Sequence, residues 1–204
     1  MPMEAYFPLW QGQGFIKVDP TTISAQTTRF DEQFAGSRYG QGALCIFTCS
    51  LDEVSPEESG VDIGIGWQNE NWRVDIGTTP LGFLIEDIVW GINYADDFGD
   101  FGYSLEFEKR PVTSSVLSYA GLTDINSGKV WGGVRSTGLT ANLSHDLGGN
   151  WGFWSSADFQ LYKGQNVKDN QRYRLMGGSY YRVISNQERE FTAGVSLLHW
   201  SYKF

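Results

Sequence analysis

Between Leu139 and Tyr162 the chain alternates apolar and polar residues on both sides of the short turn Asp146-Leu147-Gly148-Gly149-Asn150. Leu139, Ala141 and Leu143 alternate with Thr140, Asn142 and Ser144. After the turn, Trp151, Phe153, Ala157, Phe159 and Leu161 alternate with Trp154, Ser156, Asp158, Gln160 and Tyr162. A period of two sends successive side chains to opposite faces, so this stretch predicts a β-hairpin with one apolar and one polar face. Strands of about ten residues are long beside the five or six usual in soluble sheets. They match what a tilted strand needs to cross a bilayer.

The remaining chain repeats the pattern, predicting an all-β protein of roughly ten antiparallel strands. A first pair falls near residues 3–9 and 13–24, around Trp10-Gln11-Gly12. A long polar connection runs from Gln26 to Ser59. The next strands are Val61 to Trp67 and Trp72 to Ile76, then Asp87 to Tyr94 and Phe101 to Lys109. A connection of about twenty residues leads to the central hairpin, and the last strands are Arg172 to Val183 and Phe191 to Tyr202. Short connections follow the odd strands and longer ones the even strands. That asymmetry is the habit of up-and-down outer-membrane barrels, whose short turns are periplasmic. The 25 glycines, many inside strand-like runs, suit a curved sheet.

Alternation alone does not say which face points outward. A soluble barrel hides its apolar face, whereas a membrane barrel shows it to lipid. The polar face collects Asp62, Arg73, Asp75, Glu106, Glu108, Asp158, Arg172, Arg174 and Arg182. The apolar face places Trp67, Trp72, Phe101 and Trp151 beside short turns, as an interfacial aromatic girdle does. A soluble lipocalin-like binding barrel therefore stays open beside the membrane barrel. Dependence on detergent separates the two. The net charge of -9 and the lack of a dense Lys/Arg cluster argue against nucleic acid. A mean hydropathy of -0.31 and the absence of a long apolar run argue against a transmembrane helix, though not against a barrel.

Catalytic chemistry is sparsely represented. His145 and His199 are far apart and strand-borne, no nucleophile elbow is present, and neither Gly12-x-Gly14 nor Gly64-x-Gly66 opens a helix. Glu106 and Glu108 share one strand face, whereas a glycosidase pair must flank the scissile bond. A carbohydrate-active enzyme is the remaining alternative, and turnover of an oligoglucan lost in Glu106→Gln or Glu108→Gln would reveal it. The expectation is no enzyme, no metal and no cofactor. Cys45 and Cys49, with three residues between them in the long connection, are expected to close a small disulfide ring if that loop is exported.

Several motifs then occur in order. They are Gly77-Thr78-Thr79-Pro80-Leu81-Gly82-Phe83, Arg110-Pro111-Val112-Thr113-Ser114-Ser115-Val116-Leu117-Ser118-Tyr119, Trp131-Gly132-Gly133-Val134 and Gly164-Gln165-Asn166-Val167-Lys168-Asp169-Asn170. From about Met3 onward the chain resembles the C-terminal domain of the bacterial cellulose synthase operon protein C. The resemblance implies an outer-membrane β-barrel of about sixteen strands, preceded by periplasmic repeats, through which nascent cellulose leaves the cell. It also implies periplasmic and inner-membrane cellulose synthase components as partners, with outer-membrane lipid around the barrel. Ten strands, a start directly in a strand and no signal peptide at Met1-Pro2-Met3-Glu4 lead us to expect residues 1–204 to be a single, incomplete barrel domain. The expectation is that the repeats, the first strand and the last strands lie outside it.

A channel for a neutral glucan calls for hydroxyl partners and flat aromatic faces in many weak sites. On the polar parity the candidates are Asp62, Asp75, Asn142, Trp154, Asp158, Tyr162 and Tyr180. The competing reading is that they only bond one another and hold the wall in shape. The Ser/Thr-rich middle of Arg110 to Tyr119 favours a packed loop.

Overall fold

The computed structural model describes residues 2–25, 57–124, 128–146, 150–185 and 190–203. Cys45 and Cys49, and with them the expected disulfide, lie outside the described residues. The strands are β1 (Met3–Leu9), β2 (Gly12–Ser24), β3 (Glu57–Gln68), β4 (Trp72–Thr78), β5 (Ile88–Phe98), β6 (Phe101–Pro111), β7 (Leu122–Thr123), β8 (Val130–Asp146), β9 (Trp151–Gln165), β10 (Asn170–Ser185) and β11 (Glu190–Lys203). Every neighbouring pair is antiparallel, in the order β1-β2-β3-β4-β5-β6-β8-β9-β10-β11, with the two-residue β7 attached to β8. The order is linear, with β1 and β11 at the edges, so the sheet is an open, incomplete barrel. Among the described residues no helix is long and apolar enough to cross a membrane, which says nothing of crossing by strands.

The short turns have local causes. Asn69 Oδ1 accepts from the backbone N–H groups of Asn71 and Trp72 at 3.0 and 2.7 Å, the side-chain turn that joins β3 to β4. Gly99, at φ 63°, supplies the left-handed residue between β5 and β6.

The strands are longer than the pattern predicted. β8 starts at Val130 rather than near Leu139 because Gly132 and Gly133, at φ 96° and 57°, interrupt the alternation while pairing continues across a register shift to Arg135. β9 and β10 also run on, so their connection shrinks to residues 166–169 with Asn166 left-handed at φ 54°. The expected long loop there is therefore a short one.

At the end of the sheet opposite the β3–β4 and β5–β6 turns, two connections pack together. Ser115 caps the one-turn helix α1 (Val116–Tyr119), receiving a hydrogen bond from the Ser118 N–H while the Ser118 hydroxyl takes one from the Ser115 N–H. Val116, Ala120 and Leu122 bury against Phe83 from the β4–β5 connection, with Ile23 of β2 beside them. Phe83 meets Tyr119 edge-on at 5.1 Å. Arg135, 4% exposed, donates to the carbonyls of Tyr119 and Ile85 and so ties both connections to β8. Val116 to Ala120 are thus packed, whereas the Ser/Thr-rich middle that suggested a packed loop, Thr113 to Ser115, is exposed.

Candidate functional site on the inner face

Burial decides which face is which. The apolar parity is exposed: Ile65 is 59% exposed, Leu139 48% and Phe153 40%. On the opposite face of the same strands, Asp158 is 5% exposed and Gln160 8%. The exposed face carries Ile16, Ile63, Ile65, Ile76 and Ile88 on β2 to β5 and Leu139, Phe153 and Leu175 on β8 to β10. A soluble binding barrel has the reverse arrangement. Near the short turns the outward face is aromatic. Trp72 packs on Tyr94 at 4.6 Å, Trp151 on Tyr181 at 4.9 Å, and His145 stacks on Phe101 at 4.0 Å. His145 Nδ1 lies 2.8 Å from the Asp100 carbonyl oxygen, a structural setting for that histidine.

The inner face holds its charges in short ion-paired ladders. Arg110 at the end of β6 donates to both carboxylate oxygens of Asp75 on β4, at 2.6 and 2.7 Å, and to Glu108 at 2.8 Å. The pair passes over β5 at Gly91, where a Cβ would run into the guanidinium. Gly91 is the register partner of both Asp75 and Glu108, so its missing side chain opens the crossing. A second cluster joins Asp158 on β9, whose side chain is 0% exposed, to Arg172 at 3.1 Å and to Arg174, both on β10. Lys17 lies 3.5 Å from Asp62 and 3.6 Å from Asp19. Among the described residues no group of His, Cys, Asp and Glu is arranged to hold a metal ion.

Aromatic rings on this face lie against glycines. Trp154 leans over Gly178, its indole 2.8–2.9 Å from where a Cβ would stand, and Tyr180 lies over Gly152. The register pairs Trp154 with Gly178 and Gly152 with Tyr180, so the rings are diagonal neighbours on β9 and β10. Phe15 likewise covers Gly66. Three of these inner rings meet guanidinium groups: Arg73 over Phe15 at 4.8 Å, Arg172 over Tyr162 at 5.6 Å and Arg182 over Tyr180 at 5.3 Å.

The seven channel candidates all fall on this face. Asp158 and Tyr162 share the Arg172 cluster, and Trp154 and Tyr180 form the diagonal pair. Asp62 and Asp75, on neighbouring strands β3 and β4, bind different cations. Asn142 donates its amide to Ser104 at 3.0 Å. Sequence reasoning missed Arg110, which carries on the parity of Glu106 and Glu108 just past the predicted end of its strand. It also missed Phe15, whose signal is the glycine Gly66 across from it. Glu106 and Glu108 stand on one face of one strand, and Glu108 is engaged by Arg110.

Over residues 1–204 the sequence matches the family described as cellulose synthase operon protein C C-terminus. It is 38% identical over 197 residues to the cellulose synthase operon protein C of Salmonella typhimurium strain LT2, covering 96% of this chain and 16% of that protein. To the protein of the same name in Escherichia coli strain K12 it is 43% identical over 161 residues, covering 76% and 14%. To that of Pseudomonas fluorescens strain SBW25 it is 32% identical over 200 residues, covering 96% and 15%. The chain thus spans about a sixth or less of the length of these relatives. With its open antiparallel sheet and the match along its whole length, the chain belongs to the cellulose synthase operon protein C C-terminal family.

Proposed function

We propose that this chain forms part of the wall of an outer-membrane β-barrel through which a nascent cellulose chain leaves the periplasm. The observation that carries this reading is the inverted parity: an apolar, aromatic-edged outer face and an ion-paired polar inner face along the same strands. Lipid tolerates the first, and a water-filled passage accommodates the second. The family and the names of the relatives support cellulose as the cargo.

The part played here is passive. Ion pairs keep the inner charges satisfied, and rings and hydroxyl groups offer many weak contacts, so a neutral glucan is held briefly and released. No chemistry on the polymer is assigned to Glu106 or Glu108, which sit side by side instead of flanking a bond. Periplasmic and inner-membrane components of cellulose synthesis are the partners that deliver the glucan.

The test uses a full-length family member carrying this segment. Its removal should abolish surface cellulose while synthesis continues, and the protein should fractionate with the outer membrane in a heat-modifiable form. Undiminished surface cellulose, or a protein that stays monodisperse without detergent, overturns the reading.

A further inference from the structure

Among the described residues, the inner face has a recess beside the short turns that the ladders leave open. It is a groove of about 720 Å³ on β5, β6, β8 and β9, lined by Asn71, Asp97, Ser104, Asn142, Ser144 and Trp154. Trp154 closes one side. Its ring rests on the backbone at Gly178, so the underside is occupied while the ring itself borders the groove. Phe15, Tyr162 and Tyr180 each meet a guanidinium, whereas among the described residues Trp154 meets none. Phe15 is also only 4% exposed, so it has no face to offer.

The polar lining offers both acceptors and donors. One N–H of the Asn142 amide is given to Ser104, and the Ser144 hydroxyl proton to the Gly102 carbonyl at 3.3 Å. The second Asn142 N–H and the Ser104 hydroxyl remain as donors, and the Asn142 carbonyl, the serine lone pairs and the Asp97 carboxylate as acceptors. A ligand for this groove therefore carries several hydroxyl groups, which donate and accept, on its rim and a flat C–H face for the indole, whose electron-rich surface attracts C–H edges. β-1,4-linked glucose has this form, because its ring substituents are equatorial and both of its faces present C–H groups.

We propose that this groove is an entry subsite that binds a pyranose unit of a β-1,4-glucan arriving from the short-turn rim, with Trp154 as the stacking platform and Asn142, Ser104 and Ser144 as hydroxyl partners. The proposal rests on the export reading above, in which the short turns face the periplasm. Tyr180, two residues nearer that rim across the β9–β10 pair, is held by Gly152 and Arg182 and is assigned to the wall.

The experiment titrates cellohexaose into a full-length family member carrying this segment, purified in detergent and followed by calorimetry. Trp154→Ala should weaken binding about three- to tenfold, the loss of one stacked ring. Trp154→Phe should restore most of the affinity, Asn142→Ala should weaken it, and Trp151→Ala on the outer face should leave it unchanged. Heat-modifiable migration verifies that each variant is assembled. If the wild-type protein exports cellulose and binds cellohexaose but assembled Trp154→Ala binds equally well, the subsite is wrong and the export reading stands. If the wild-type protein neither exports nor binds, both fall.

Discussion

Placing one arginine on each face of β9 tests the orientation of the whole sheet. Ala157 is exposed on the outer face, opposite Ala141 on β8 and Leu175 on β10, with Leu139, Phe159 and Tyr173 around it. It stands six positions beyond the first residue of β9. At about 3.4 Å per residue that is about 20 Å along the strand, and a tilt of about 40° lowers this to roughly 15 Å above the short-turn rim. Against an apolar band about 25 Å tall, Ala157 is therefore near the midplane, where an arginine facing lipid costs about 2 to 4 kcal/mol. Ser155, the previous outward residue, lies at roughly 10 Å, about as far from the midplane on its rim side, so Ser155→Arg should cost a similar amount. Ser156 faces inward between Asn142 and Met176, so Ser156→Arg should stay within about 1 kcal/mol. The assay is reversible unfolding in denaturant from phospholipid vesicles, using a full-length family member that carries this segment. Ala157→Arg and Ser155→Arg are expected to destabilise to a similar degree, and both well beyond Ser156→Arg. Equal costs at 156 and 157, or the reverse order, would refute the assignment of the apolar face to lipid.

Other perturbations read separate parts of the wall. Gly91→Ala pushes a methyl group into the Arg110 guanidinium and should cost about 1 to 3 kcal/mol in the same titration, whereas Gly64→Ala, whose nearest neighbour would be 3.5 Å away, should be mild. Asp158→Asn leaves the partly exposed Arg172 and Arg174 without their shared anion and should destabilise by about 1 to 3 kcal/mol, with Asp158→Asn/Arg174→Met recovering part of the loss. Burial, followed by the Asp62 carboxylate, raises the pKa of the Tyr119 phenol, so its contribution to packing is complete below the ordinary value near 10 and disappears as pH rises through the higher one. Proteolysis within residues 112–129 should therefore accelerate in strong alkali in the parent, and Tyr119→Phe should remove that step. The 204-residue chain expressed alone should associate through the open edges of β1 and β11, and a heat-modifiable monomer in detergent would contradict this.

Much of the sheet was legible because one face of each strand is apolar, and period two survives wherever both faces keep their character. Leu139 to Leu143 and Trp151 to Leu161 mark their strands for that reason. The pattern faded at Gly132 and Gly133, where left-handed backbone leaves no side chains to alternate, and at Gly164 to Asn170, where polar turn residues continue the pairing. Parity also located every inner-face candidate. It could not supply their partners, because the Arg110–Asp75 pair skips a strand and depends on the empty space at Gly91, a relation between three strands that no local pattern encodes. The orientation of the faces was undetermined for a related reason: alternation is symmetric, and only burial breaks the symmetry.

The packing of α1 has a consequence for how such a sheet rolls up. Its cluster reaches from Ile23 on β2 to Arg135 on β8, strands separated in the sheet by β3 to β6. A chord of this kind fixes the distance between two ribs of an arc and hence its radius, independently of any strand that closes the circle. Fixing that radius early lowers the entropy still to be lost when the distant edges meet. The buried Phe83, Val116 and Ala120 thus act as a mould for the curvature of the wall, and loosening them should slow closure more than it weakens the finished barrel.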